Sequence, residues 1–217
     1  RQAAWRFIWK GVRIMAITYP LTLPSHTGIA QIELRAVNAV AYSQSPFTFA
    51  GQAHAYSGEM WQADVTLPPM KRADAEQWIA FLISLRGQRG TFYLGDPTGA
   101  APRGTVSTNT DVNSATGSAG DRTISVTITS GETLLAGDYI QIGTTSDRTL
   151  HKVLEDVTGT GAAQDIEIWP ALRANKSSAG VNIVSTTGKF RLASNEQNWS
   201  VNEASIYGIT FGAFEAI

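Results

Sequence analysis

Cysteine is absent from the 217 residues, which excludes disulfides and thiolate metal sites whatever the redox compartment. Charge is scarce and balanced: 16% of residues are charged, 17 basic against 18 acidic, so no basic field is available to hold nucleic acid sequence-specifically. No stretch approaches the roughly 20 apolar residues that cross a bilayer. The three histidines, His26, His54 and His151, fall in separate segments without HExxH or paired-ligand spacing, which argues against a metal site. His151, within Leu150-His151-Lys152-Val153, is expected to be an exposed strand residue. Also missing are a G-x-S-x-G elbow and a G-x-x-x-x-G-K-[ST] phosphate loop. Gly117-Ser118-Ala119-Gly120 and Gly143-Thr144-Thr145-Ser146 resemble fragments of the latter but lack a following helix. Asp64 falls on the polar face of a strand, Asp74 and Glu76 at a helix start, Asp96 and Asp138 in turns, and Asp156 at a strand end. These placements leave no obvious carboxylate pair for glycoside hydrolysis. The expectation is a chain with no catalytic residues, no cofactor and no metal.

What is present is regular, and 20 glycines with abundant Thr and Ser fit a mainly β protein with many turns. In residues 59–99, Trp61, Ala63, Val65 and Leu67 alternate with Gln62, Asp64 and Thr66, the period of a strand with one buried face. Pro68 and Pro69 end it. Asp74 and Glu76 mark a helix start, and Ala75, Trp78, Ile79, Leu82 and Leu85 form one apolar stripe, so a helix is predicted at about 72–86. Gly87 is its natural stop, and a short strand from Thr91 to Leu94 leads into the Gly95-Asp96-Pro97 turn. Upstream, Ile32, Leu34 and Ala36 alternate with Gln31, Glu33 and Arg35 as a first strand. Phe47, Phe49 and the residues to Tyr56 form another, with Ser57-Gly58 expected to turn into the Trp61 strand.

The order of alternating strand, Pro-Pro, acidic-start helix and Arg-Gly…Gly-Thr-Phe-Tyr-Leu-Gly-Asp-Pro resembles the distal tail proteins of long-tailed bacteriophages, including the lambda minor tail protein M type. Phe190 to Asn195, Trp199, Tyr207 to Phe211 and Phe214-Glu215-Ala216 resemble the C-terminal strands of the same proteins. The resemblance covers residues 15–100 and 188–217. It implies a β-sandwich braced by one helix, assembled as a homo-oligomeric ring, a hexamer in that family. The ring would join the tail tube protein to the tip hub proteins in the virion, at the tail tip.

Residues 99–120 are rich in Gly, Thr, Ser, Asn and Ala and read as a linker or long loop. Short strands follow at 123–129, 139–142, 149–154 and 166–169, with a last one near 181–184. The expected organisation is an N-terminal basic aromatic arm (1–14), a ring-forming β-sandwich domain (15–103 and 188–217) and an inserted small β-barrel domain (104–187). The insert is expected to fold from its own strands and to be removable. Within it, Trp169-Pro170 and Arg173 form an aromatic and basic cluster. Trp169 could stack on a host glycan with Arg173 on a polar edge, making the insert a carbohydrate-binding module. Alternatively Trp169 plugs the barrel, which is favoured because large aromatics are seldom left bare. The arm carries Trp5 and Trp9 with Arg1, Arg6, Lys10 and Arg13, a mixture suited to a protein groove or an anionic membrane. Partner docking without stable membrane insertion is expected, and MAITYPLTLP from Met15 reads as a native beginning.

Overall fold

The computed structural model describes residues 17–25 and 28–217. Trp5 and Trp9, with the rest of the N-terminal arm, lie outside them, as does His26.

Strands Gln31–Gln44 (β1) and Gly51–Thr66 (β2) form one long antiparallel hairpin. In its inner part Trp61, Ala63 and Val65 are buried while Asp64 and Thr66 face solvent, as the alternation dictates. The turn is not at Ser57-Gly58. The chain reverses at residues 45–50, where the Ala50 carbonyl accepts from the Ser45 amide at 3.0 Å and the Ser45 carbonyl from the Phe49 amide at 3.0 Å. Ser57-Gly58 instead lies within β2, opposite a register slip between Asn38 and Val40. A Cβ on Gly58 would stand 3.0 Å from that of Ala39, so this glycine admits a bulge and β2 continues through it.

After β2 come Met70–Lys71 (β3), helix Arg72–Ser84 (α1), a 3₁₀ turn Gly87–Arg89 and Phe92–Leu94 (β4). The whole predicted stripe, Ala75, Trp78, Ile79, Leu82 and Leu85, is buried, and Phe81 joins it. Asp74 sits in the first turn. Glu76, two residues on, falls in the second turn and pairs with Arg72 at 3.2 Å. The helix stop is shared between Arg86 (φ 53°) and Gly87 (φ 68°), both left-handed.

The insert contributes Val112–Gly117 (β5), Thr123–Ile128 (β6), Thr133–Leu134 (β7), Tyr139–Ile142 (β8), Thr149–Val153 (β9), Val157–Thr158 (β10), Ala163–Trp169 (β11), Lys176–Ala179 (β12) and Val181–Asn182 (β13). The segment expected to be a linker therefore contains a strand, β5. Its Val112 and Ala115 are fully buried, and the carboxylate of Asp111 fixes its entry by accepting from the Ser107 and Thr108 amides at 3.0 and 2.8 Å. Small side chains concealed it, because Ser114, Thr116 and Gly117 carry no apolar alternation. The chain then closes with Gly188–Leu192 (β14), Trp199–Val201 (β15) and Ile206–Glu215 (β16).

The protein is mainly β. One sheet runs β1-β2-β16-β14-β4, with β3 and β15 pairing to β16, and α1 packs against it. The other runs β12-β5-β6-β11-β9-β8-β13, antiparallel and nearly closed as a barrel. Each has its own buried cluster. Trp61, Trp78, Phe92, Phe190 and Phe211 anchor the first; Ile124, Val126, Ile140, Ile142 and Ile168 fill the second. The first cluster also takes in Tyr139 and Leu150 from the insert.

Candidate functional site

Two features of the surface and its support stand out: a hairpin that leaves the body, and the joint that holds its root. β16 pairs with β2 only between Gln62 and Thr66. Beyond the bulge β1 and β2 therefore run on as a free two-stranded ribbon. Every residue from 38 to 58 is exposed except half-buried Ser45, and Val40, Tyr42, Phe47, Phe49 and Tyr56 are 52, 64, 92, 73 and 56% exposed. The ribbon has two unlike faces. Cross-strand pairing puts Val40 with Ala55 and Tyr42 with Ala53 on one side, and Ala41 with His54 and Ser43 with Gln52 on the other. His54 and Tyr56 meet edge to face at 4.8 Å on the second side. Gly51 lets the Tyr42 ring lie flat across the first, since a Cβ there would run into the phenol. At the tip, Phe49 is held at φ 56°, a sparsely populated conformation for a bulky residue.

The root of this ribbon is gripped by the insert. The Trp169 indole N–H donates to Asn38 Oδ1 at 2.8 Å, and its ring meets Trp61 edge to face at 4.6 Å. The Trp61 indole in turn donates to the Leu150 carbonyl at 2.9 Å. Glu59, 6% exposed, accepts from Arg122 Nε and Nη2 at 2.9 and 2.6 Å on Oε1, and from the Ala171 amide at 2.7 Å on Oε2. Glu215, 5% exposed, takes both prongs of Arg173 at 3.0 and 2.6 Å, and the Trp61 amide at 3.1 Å. Trp169 and Arg173 are thus brought to the joint between the two sheets. Trp169 packs against the cluster around Trp61 rather than plugging the barrel, and the Arg173 guanidinium is committed to Glu215. Glu59 and Glu215 gave no sign in the sequence. A buried glutamate looks like any other until its partner, 63 or 42 residues away, is placed beside it.

His151 differs from its expected exposure: it is fully buried. It shares a face with Ile140 and Val153 inside the nearly closed second sheet, where a strand has an interior side as well as an exterior one. Its Nδ1–H donates to the Pro170 carbonyl at 2.7 Å, which leaves Nε2 to accept from the Thr149 hydroxyl at 2.7 Å. Burial, with Arg173 and Lys176 nearby adding repulsion, lowers its pKa to about 4. The unfolded chain therefore takes up a proton near pH 6.5 that the folded chain refuses until about pH 4. Stability is full above this window and falls as the pH drops through it, by up to roughly 1.4 kcal/mol per unit. Urea melts at pH 7 and 4.5 should show this loss, and His151→Gln should flatten it. Asp147, lowered to about 2 by hydrogen bonds from Lys176 and Thr145, leaves a separate loss at lower pH. An unchanged slope in the histidine variant would assign the loss elsewhere.

Grooves among the described residues are open and shallow. One of ≈ 450 Å³ lies between Asp64, Glu196, Asn198 and Phe211, and Asp64 on its rim is paired with Arg35. Another of ≈ 510 Å³ lies between Leu67, Pro69, Trp199 and Ile209. No group of three or more His, Asp or Glu side chains is placed to hold a metal ion among the described residues, and none of their helices is long and apolar enough to cross a membrane. No family model and no curated protein matches this chain.

Proposed function

We propose that this chain is a structural protein of a phage tail tip, a subunit of a ring, hexameric by resemblance, that joins the tail tube to the central tip proteins. It works by assembly, without turnover or cofactor. Beyond the resemblance in residues 15–100 and 188–217, one observation supports an assembly role over a glycan-binding one: the location of the bare aromatics. A carbohydrate-binding insert would display them on the barrel. Among the described residues the insert bares one large apolar side chain, Leu154, while four exposed aromatics sit on the β1–β2 ribbon. Trp169 and Arg173, the side chains best suited to a sugar, hold the insert to the body.

The test is imaging and mass analysis of particles from a phage carrying this gene. The expected result is a closed ring of this chain at the tube's distal end. A chain missing from the virion, or present there without homotypic contact, overturns the proposal. Specific glycan binding abolished by deleting the insert would move the function to host adsorption.

A further inference from the structure

The ribbon carries a property that composition alone conceals. From Asn38 to Gly58, 21 consecutive residues, there is no Asp, Glu, Lys or Arg. Soluble proteins protect an exposed strand edge with charge, proline or a covering element. A two-stranded ribbon alone in water is also marginally stable. This one is long, two-edged and uncharged, with Phe47 and Phe49 bared at its end.

The same chain carries a second apolar surface at the other end of β2. The ≈ 510 Å³ groove between Leu67, Pro69, Trp199 and Ile209 adjoins a ≈ 260 Å³ one between Val201, Ile206 and Tyr207. No charged residue lines either groove, and Trp199, Val201 and Ile206 are 42, 52 and 38% exposed. Gly51 stands at the ribbon tip and Thr66 on the groove rim, so a 16-residue strand separates them, about 50 Å at the usual rise. A ribbon cannot fold back on a groove at its own far end.

We propose that the β1–β2 ribbon of one copy docks, tip first, on the Trp199–Val201–Ile206 surface of a second copy. This rests on the assembly role above and supplies its contact. Neither the ribbon nor the lining of the two grooves has to desolvate a charge, the costly step in most wrong pairings. Glu203, in the turn before Ile206, and Lys71, the strand partner of Ile206, flank the surface. Two different patches at opposite ends make the contact heterologous, the kind that closes a ring or propagates a filament. A lipid surface is the less fitting occupant, because membrane-binding aromatic tips are usually flanked by lysine or arginine, and this ribbon has none.

The absence of native cysteine allows a direct test on the full chain. Phe47→Cys and Val201→Cys, each solvent-exposed, are purified separately, mixed at high concentration and oxidised. Mixed disulfide dimers are expected in excess over either self-dimer, and the double variant should give covalent oligomers. Adding Phe49→Asp to the Phe47→Cys chain should lower the mixed yield at least about tenfold, the loss of a modest hot spot. Unchanged far-UV circular dichroism and melting would show that the fold is intact. Dominant Phe47→Cys self-dimers would overturn the proposal in favour of ribbon–ribbon pairing, and absence of mixed dimers would overturn it outright. So would co-sedimentation with phosphatidylglycerol vesicles that Phe49→Asp abolishes. A chain that cross-links as expected yet is missing from tail tips keeps this interface and removes the tail assignment.

Discussion

Trp78→Ala should cost about 3 to 5 kcal/mol of stability, the range for truncating a large aromatic in a packed core. Trp78 is 1% exposed and stands where α1 meets the sheet. Its ring packs against Phe81 at 5.9 Å and Phe211 at 6.3 Å, and these two reach Phe92 at 5.7 and 6.1 Å. Removing the indole leaves a void bounded by the rings of Phe81 and Phe211, which are held by Phe92 behind them, so collapse into it is restricted. For a domain of this size each kcal/mol lowers the melting temperature by roughly 2 to 4 °C, and a fall of about 6 to 20 °C is expected by calorimetry. Ile83→Ala, on the same helix but 56% exposed, serves as control and should change little. Equal melting of the Trp78 variant and the parent would show that the helix does not brace the sheet through this residue.

The helix and the inner part of β2 were legible because their buried residues are large, apolar and periodic. Trp61 and Trp78 have few alternatives to a core. Where packing is done by small or polar groups, the pattern fails. Val112 and Ala115 anchor β5 between Ser, Thr and Asn, and read as linker. Ser57-Gly58 has the chemistry of a turn, yet supplies a bulge, because the β1 partner strand continues past it. His151 was placed by alternation on the solvent side, whereas the nearly closed sheet gives β9 an interior face that only the tertiary pairing defines. The joint was least visible, since each half of the Glu59–Arg122 and Glu215–Arg173 pairs is an ordinary surface residue by itself. The ribbon left a legible signal of another kind: 21 residues without a charge, in an alternating strand pattern that also carries bulky aromatics, mark a surface suited to cover.

The insert clamps the root of the ribbon, so its removal should cost more than the small, polar flanks imply. Replacing residues 104–187 by a Gly/Ser linker strips Arg122 and the Ala171 amide from Glu59, and Arg173 from Glu215. It also leaves the Trp61 indole without Leu150 and Asn38 without Trp169. Glu59 and Glu215, 6 and 5% exposed beneath the insert, would then lose their partners together with their cover. The apolar cluster around Trp61 would also be opened where Tyr139 and Leu150 complete it, and a bared apolar patch of that kind favours aggregation. The expected result is aggregation or loss of soluble yield on deletion, rather than a freely folding remainder. A point variant isolates the cause. Glu215→Ala leaves the Arg173 guanidinium, 13% exposed, without its anion and should destabilise by about 3 to 5 kcal/mol. Glu215→Gln with Arg173→Met removes both charges and keeps an acceptor for the Trp61 amide, and should recover most of that loss, because apolar replacement of a whole buried pair is often neutral. Urea melts of the three chains give the comparison. If Glu215→Ala melts like the parent, or if the deleted chain folds and assembles normally, the insert is an independent appendage and the joint does not hold the ribbon.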